Sequence, residues 1–203
     1  MRDLPKPITI IYEDELSGAV IDRILSTYRP DLYVHKRVQC NGCGKIKKNL
    51  LNYNKTAKSG FPYFILTDLD TALCAPQLID EWTKQTPLSS NLFFRVAVRE
   101  VESWILADRK NLAELLGITI SKIPVDTDSI PDPKQLICNL ARKSRKKGVR
   151  EGIPPKDLYA VQGYDYNAIL GRFIQNKWNI CNAIEYSSSL KRTVERLEDW
   201  LKI

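Results

Sequence analysis

At three places in the chain, acidic residues stand directly after an apolar run, a placement that suggests metal chemistry. Ile8-Thr9-Ile10-Ile11-Tyr12 is followed by Glu13-Asp14-Glu15, and Tyr63-Phe64-Ile65-Leu66-Thr67 by Asp68-Leu69-Asp70. The third run, Phe93-Phe94-Arg95-Val96-Ala97-Val98, is followed by Arg99-Glu100-Val101-Glu102. If these runs are strands of one parallel sheet, their ends gather along one edge and the acids converge. Converging carboxylates repel unless a cation neutralises them, and hard oxygen ligands select Mg²⁺ or Mn²⁺. Glu13, Asp68 and Asp70 are therefore the first candidates for metal ligands and catalytic groups. Residues two apart in an extended strand point the same way, so Asp68 and Asp70 are expected to face one cation. Taken singly, each acid could instead be a helix cap or a solvated side chain. Glu100 and Glu102 allow two readings. A continued strand puts both on one face. A helix already begun turns them about 200° apart, and its dipole then accounts for acids in a first turn. Glu100, nearer the strand end, is preferred as a catalytic group and ligand of a second metal, with Glu102 a further metal candidate.

Such acids need a sheet to carry them, and the periodicity supplies one. Strands are expected at residues 8–12, 32–38, 63–67 and 93–98, alternating with helices. The helices expected between and after the strands fall near residues 16–28, 46–53, 76–84, 100–107 and 109–116. Asp108 reads as the cap of the last of these and Gly117 as its stop. This β-α-β-α-β-α-β-α order predicts an α/β fold with a central parallel sheet flanked by helices. Beyond Ile118 strand signals cease and prolines punctuate the chain. Helices are expected at residues 134–145, 166–176 and 189–200. The expected organisation is an α/β core over residues 1–117 and a helical C-terminal appendage over 118–203. Trp82, Trp104, Trp178 and Trp200 fall on apolar helical faces and read as core.

Charge adds a second clue. The net charge is +7, and six of the nine residues from Arg142 to Arg150 are basic, with no acid among them. A smaller basic group is Lys45, Lys47 and Lys48. Basic surface beside an acidic cluster suits a polyanionic substrate such as nucleic acid. Arg142 and Arg145, three apart on the expected helix, are the leading substrate-binding residues, with Lys146 beside them; a solvated helix end is the plainer reading of the run. Of the five cysteines, only Cys40-Asn41-Gly42-Cys43 has zinc-like spacing, and no second pair completes four ligands. The cysteines are expected to be reduced and mostly buried thiols. No run approaches the roughly 18 apolar residues of a membrane span, and residues 1–7 lack the features of a signal peptide. A cytoplasmic protein with no membrane partner is expected.

A strand ending in Glu13, a helix, then a strand ending in Asp68-x-Asp70 resembles the Toprim domain of topoisomerases, DnaG-type primases and overcoming-lysogenization-defect nucleases. Arg95 to Asp108, with its Arg99-Glu100-x-Glu102-x-Trp104 core, resembles a narrower bacterial family of free-standing Toprim-like proteins. So does Pro131-Asp132-Pro133-Lys134 with Ala141-Arg142-Lys143-Ser144-Arg145. The resemblance implies that Glu13 is a metal ligand or proton-transfer group and that Asp68 and Asp70 hold Mg²⁺. It further implies a magnesium-dependent nuclease acting on DNA or RNA, a separate ATPase as partner and a link to phage defence. Asp14 stands where many Toprim domains have glycine. Two alternatives stay open. Phe64 to Thr71 also matches the first motif of haloacid-dehalogenase phosphatases, with Asp68 as nucleophile. A non-catalytic module that binds nucleic acid or an ATPase is the other.

Overall fold

The computed structural model describes residues 4–157 and 159–201; residues 1–3, part of the stretch read for a signal peptide, lie outside it. The protein is α/β, with a four-stranded, all-parallel sheet: β1 (Lys6–Tyr12), β2 (Leu32–Gln39), β3 (Tyr63–Asp68) and β4 (Leu92–Ala97). The spatial order is β2-β1-β3-β4. β1 and β3 are central. Ile8, Ile10 and Ile11 of β1 and Phe64, Ile65 and Leu66 of β3 are all buried, as strands covered on both faces require. β2 lies at an edge and is largely exposed, which explains how it tolerates His35, Lys36 and Arg37.

Three helices join the strands: α1 (Glu15–Tyr28), α2 (Cys43–Ala57) and α3 (Ala75–Thr83). α1 starts sharply because the Asp14 carboxylate accepts hydrogen bonds from Ser17 N (2.9 Å) and Ser17 Oγ (2.8 Å), a side-chain N-cap. Leu16, Val20, Ile21 and Ile24 then repeat at helical spacing and are buried. After β1 the chain turns to one side for β2 and then to the other for β3. The connectivity therefore reverses between β1 and β3, and in open α/β sheets the crevice outside the strand ends at such a point is where ligands bind.

From β4 the chain is helical: α4 (Val101–Ala107), α5 (Arg109–Leu116), a 3₁₀ turn (Ile120–Lys122), α6 (Pro133–Arg142), α7 (Lys147–Gly152), α8 (Tyr166–Asn176), α9 (Ile180–Ala183) and α10 (Ser188–Asp199). Two compact units result. One comprises the residues up to Ala97 together with those from Arg192 onward; the other is Val98–Lys191. This division differs from the expected boundary at residue 117, because α4 and α5 pack with the helices that follow them rather than forming the end of the sheet unit.

Within the second unit every residue of α4 is buried. Trp104 Nε1 donates to Ser189 Oγ at 2.7 Å, and Trp178 Nε1 donates to the Trp104 carbonyl at 3.1 Å. Both indoles are fully buried and belong to the core. Asp108 precedes α5 but makes no side-chain cap there; its Oδ2 accepts instead from Asn111 Nδ2 (2.8 Å) and Asn179 N (2.7 Å). Asp128 performs the capping for α10, accepting from Ser189 N at 2.7 Å and Ser187 Oγ at 2.6 Å. Among the described residues no helix is long and apolar enough to cross a membrane.

Candidate metal centre at the sheet edge

Glu13 leaves β1 at the switch point and is only 8% exposed. Its Oε1 is held from the neighbouring strand: Thr67 Oγ1 donates to it, and so does the Asp68 backbone amide, at 2.9 Å. Burial pushes the Glu13 carboxyl above its ordinary range. The bonds from Thr67 and Asp68 pull the other way, and the negative charges of Asp70 and Asp14 push it up further. A desolvated carboxylate among other carboxylates favours either a proton or a metal cation.

The chain closes over this position from β2. Asn41 N donates to the Glu13 carbonyl at 2.8 Å, and Asn41 (φ +54°) and Gly42 (φ +117°) turn the backbone through the left-handed region. A Cβ at Gly42 would meet no atom within 4 Å, so the backbone angle, not space, calls for glycine there. The turn places Cys43 at the head of α2, half-buried. Its thiol is pushed up by burial first, then by the charges of Glu13, Asp70 and Asp68.

One ligand atom each from Glu13, Cys43 and Asp70 lies within 4.8 Å of the others. Ligands on opposite sides of a hard cation, with bonds of roughly 2.0–2.6 Å, stand about 4–5 Å apart, so the spacing fits a single ion. Two carboxylate oxygens suit Mg²⁺ or Mn²⁺, while a thiolate shifts preference toward softer metals.

The expected pairing of Asp68 with Asp70 is altered. β3 ends at Asp68, and Asp70 has φ +50°. The strand alternation that would point both side chains one way has ended by then. Asp70 joins the group with Glu13, whereas Asp68 stands outside it, contributing its amide to Glu13 and its charge to the surroundings of Cys43.

Glu100 and Glu102 lie in the second unit and are engaged there. Of the two readings, the helix is the one observed: Glu100 is the N-cap residue of α4 and Glu102 sits in its first turn. Glu100 Oε2 accepts from Lys134 N at 3.2 Å, at the start of α6. Glu102 is fully buried; Lys134 Nζ is 3.5 Å from its Oε1, and Tyr166 donates its hydroxyl to the same atom at 3.1 Å.

The basic run is not one helix. α6 ends at Arg142, so Arg142 and Arg145 do not share a helical face. Ser144 breaks the helix: it is buried, its Oγ accepts from Lys146 N at 3.0 Å, and such local bonds compete with the helical ladder. Arg142 donates to Asn139 Oδ1 at 2.7 Å; Lys146 Nζ donates to the Glu114 carbonyl at 2.7 Å. In the first unit, Lys47 pairs with Glu81 at 2.6 Å. Of the cysteines, Cys40 and Cys138 are buried, Cys43 is half-buried, and Cys74 and Cys181 are exposed.

Sequence reasoning missed Cys43 and Thr67 as parts of the site. The Asn41-Gly42 turn before an apolar helix signalled where α2 begins, but not which strand end it would meet. Compared with protein-family models, with curated proteins and with solved structures, the chain matches none at a significant level.

Proposed function

We propose that this chain is a Toprim-like, metal-dependent phosphodiesterase that cleaves nucleic acid, with Glu13 and Asp70 as ligands of Mg²⁺ or Mn²⁺ and Asp68 beside them. The observation that carries the reading is the meeting of Glu13, Asp70 and Cys43 within 4.8 Å in the crevice outside the β1 and β3 ends. A bound divalent cation in such a site activates water and offsets charge on the attacked phosphate. The chain's own groups prepare for it. Thr67 and the Asp68 amide occupy Glu13 Oε1, which leaves Oε2 for a cation or a proton. Asp70, exposed at the rim, is within reach of incoming substrate. A separate ATPase partner, a cytoplasmic location and a role in phage defence belong to the same proposal.

Cleavage of labelled DNA and RNA with Mg²⁺ or Mn²⁺, wild type against Asp68→Ala and Asp70→Asn, tests it. Metal-dependent cleavage is expected to be lost in Asp70→Asn and weakened in Asp68→Ala, which keeps the backbone amide that holds Glu13 but removes a neighbouring negative charge. Equal cleavage by all three proteins would remove the site from the chemistry. Hydrolysis of small phosphomonoesters with a trapped aspartyl-phosphate on Asp68 would assign the chain to the phosphatase alternative instead.

A further inference from the structure

Two cavities of the second unit adjoin at Lys146 and differ in character. The first, about 360 Å³, is lined by Lys122, Lys143, Arg145 and Lys146 around the Gly117–Thr119 turn, with no acidic residue on its wall. The second, about 310 Å³, has an apolar wall of Leu115, Ile169 and Phe173, with Lys146, Arg172 and Lys177 around it and Glu114 as its one acid. That volume sits at the small end of the roughly 300–1,000 Å³ of small-ligand sites.

The local backbone holds this arrangement in place. Gly117 ends α5 at φ +63°, and a Cβ there would come within 3.2 Å of Lys146 Cγ and 3.5 Å of Ser144 Oγ. The absent side chain lets the Lys143–Lys146 segment pack against the end of α5, where Lys146 Nζ meets the Glu114 carbonyl. The basic residues thereby line one cavity instead of spreading around a helix.

We propose that this unit binds a single-stranded segment of nucleic acid, its phosphates along Lys122, Lys143, Arg145 and Lys146 and an unpaired base against Leu115, Ile169 and Phe173. The inference deepens the nucleic-acid reading above and rests on it for the class of ligand. Cations at close spacing without acids track a phosphate backbone. A neighbouring apolar cavity takes a base only when that base is free of its partner strand.

The test is fluorescence anisotropy of the full-length protein with a labelled oligothymidylate and with a blunt duplex of equal length, in EDTA so that cleavage does not occur. The single strand is expected to bind at least about tenfold more tightly, given the apolar surface an unpaired base would cover in the cavity. Lys143→Glu/Arg145→Glu should weaken both ligands and flatten the salt dependence for the single strand by about 1.4, two contacts at roughly 0.7 each. Leu115→Gln, or Ile169→Gln should Leu115→Gln fold poorly, should weaken the single strand alone. Equal affinity for single strand and duplex, or single-strand affinity unchanged in the cavity variants, would overturn the inference. These outcomes separate it from the catalytic proposal: a wild type that cleaves duplex but shows no single-strand preference loses only this inference, whereas single-strand binding without metal-dependent cleavage loses only the former.

Discussion

Two buried glutamates, Glu13 in the sheet unit and Glu102 in the helical unit, end in opposite electrostatic conditions. In the sheet unit, Glu13 is buried beside Asp70 and Asp14, and the donors it meets are a hydroxyl and a backbone amide, both neutral. In the helical unit, Glu102 is buried more completely but has Lys134 Nζ 3.5 Å away and the Tyr166 hydroxyl at 3.1 Å. Burial and the nearby Glu102 charge push the Tyr166 hydroxyl well above its ordinary range, keeping it protonated as a donor. A buried acid met by neutral donors and like charges is thereby distinguished from one already matched by a cation. Motif spacing treats Glu13 and Glu102 alike; the charges packed around each do not.

The comparison is most sharply tested by neutralising each acid. Glu13→Gln is expected to lower metal-dependent cleavage about a thousandfold, the scale of losing several kcal/mol of charge stabilisation. In metal-free protein the same change should leave stability unchanged or raise it, because a desolvated carboxylate among like charges is replaced by a neutral amide. Cleavage rates and urea midpoints in EDTA, measured on one preparation, give both readouts. A marked loss of stability would show that Glu13 is a structural acid.

Glu102→Ala should do the reverse. Removing it leaves Lys134 and the Tyr166 hydroxyl without their buried acceptor, a loss of about 3 kcal/mol by analogy with other broken buried pairs. Urea unfolding checks this. If the variant is as stable as wild type, the pair with Lys134 contributes nothing and the contrast between the two groups fails.

Metal binding should be visible as stability before any substrate is found. At a concentration about 100 times its Kd, a cation that binds only the folded chain adds about 2.7 kcal/mol. Mn²⁺ should therefore raise the melting temperature of wild type and not of Asp70→Asn. Cys43→Ser should narrow the gap between Mn²⁺ and Mg²⁺, since it exchanges a soft donor for a hard one. An unchanged metal preference would place the thiol outside the coordination sphere.

How far these contrasts were legible in the sequence depended on whether they were set along the chain or across it. The apolar runs ending at Tyr12 and Thr67 marked two central strands, and Glu13 and Asp68 followed from where those runs stop. The left-handed turn at Asp70 broke the expected alternation because a non-glycine residue at positive φ leaves no mark in hydrophobic periodicity. Cys43 was hidden for a different reason: its partner is not another cysteine but a strand end thirty residues upstream (43 minus 13). α7 escaped because Lys147–Gly152 carries two glycines and too short an apolar repeat to read. The end of α6 was misplaced because Ser144 acts through its side chain, and basic neighbours on either side look like continuing helix.

The smallest expected effect concerns an acid that has a cation but little burial. Arg29 is buried, donating from Nη1 to the carbonyls of Leu197, at 3.3 Å, and Trp200, while its Nη2 reaches Asp31 Oδ2 at 2.6 Å. The hydrogen bonds from Arg29 hold the Asp31 carboxyl below the usual carboxylate range, its own modest burial opposing them. A carboxylate whose folded value is depressed contributes stability above its unfolded value, near about 3.9, and loses that contribution as pH falls through the folded value. Asp31 has 54% of its side chain exposed, so solvent screening reduces the contribution to about 0.5 kcal/mol. Urea midpoints of wild type and Asp31→Asn should therefore differ slightly at about pH 6 and converge toward about pH 3. A gap that persists at low pH would mean that Asp31 acts through packing and not through its charge. Convergence would instead place it with Glu102 as an acid already matched by a resident cation, in contrast to Glu13, whose carboxylate meets a hydroxyl and a backbone amide, both neutral.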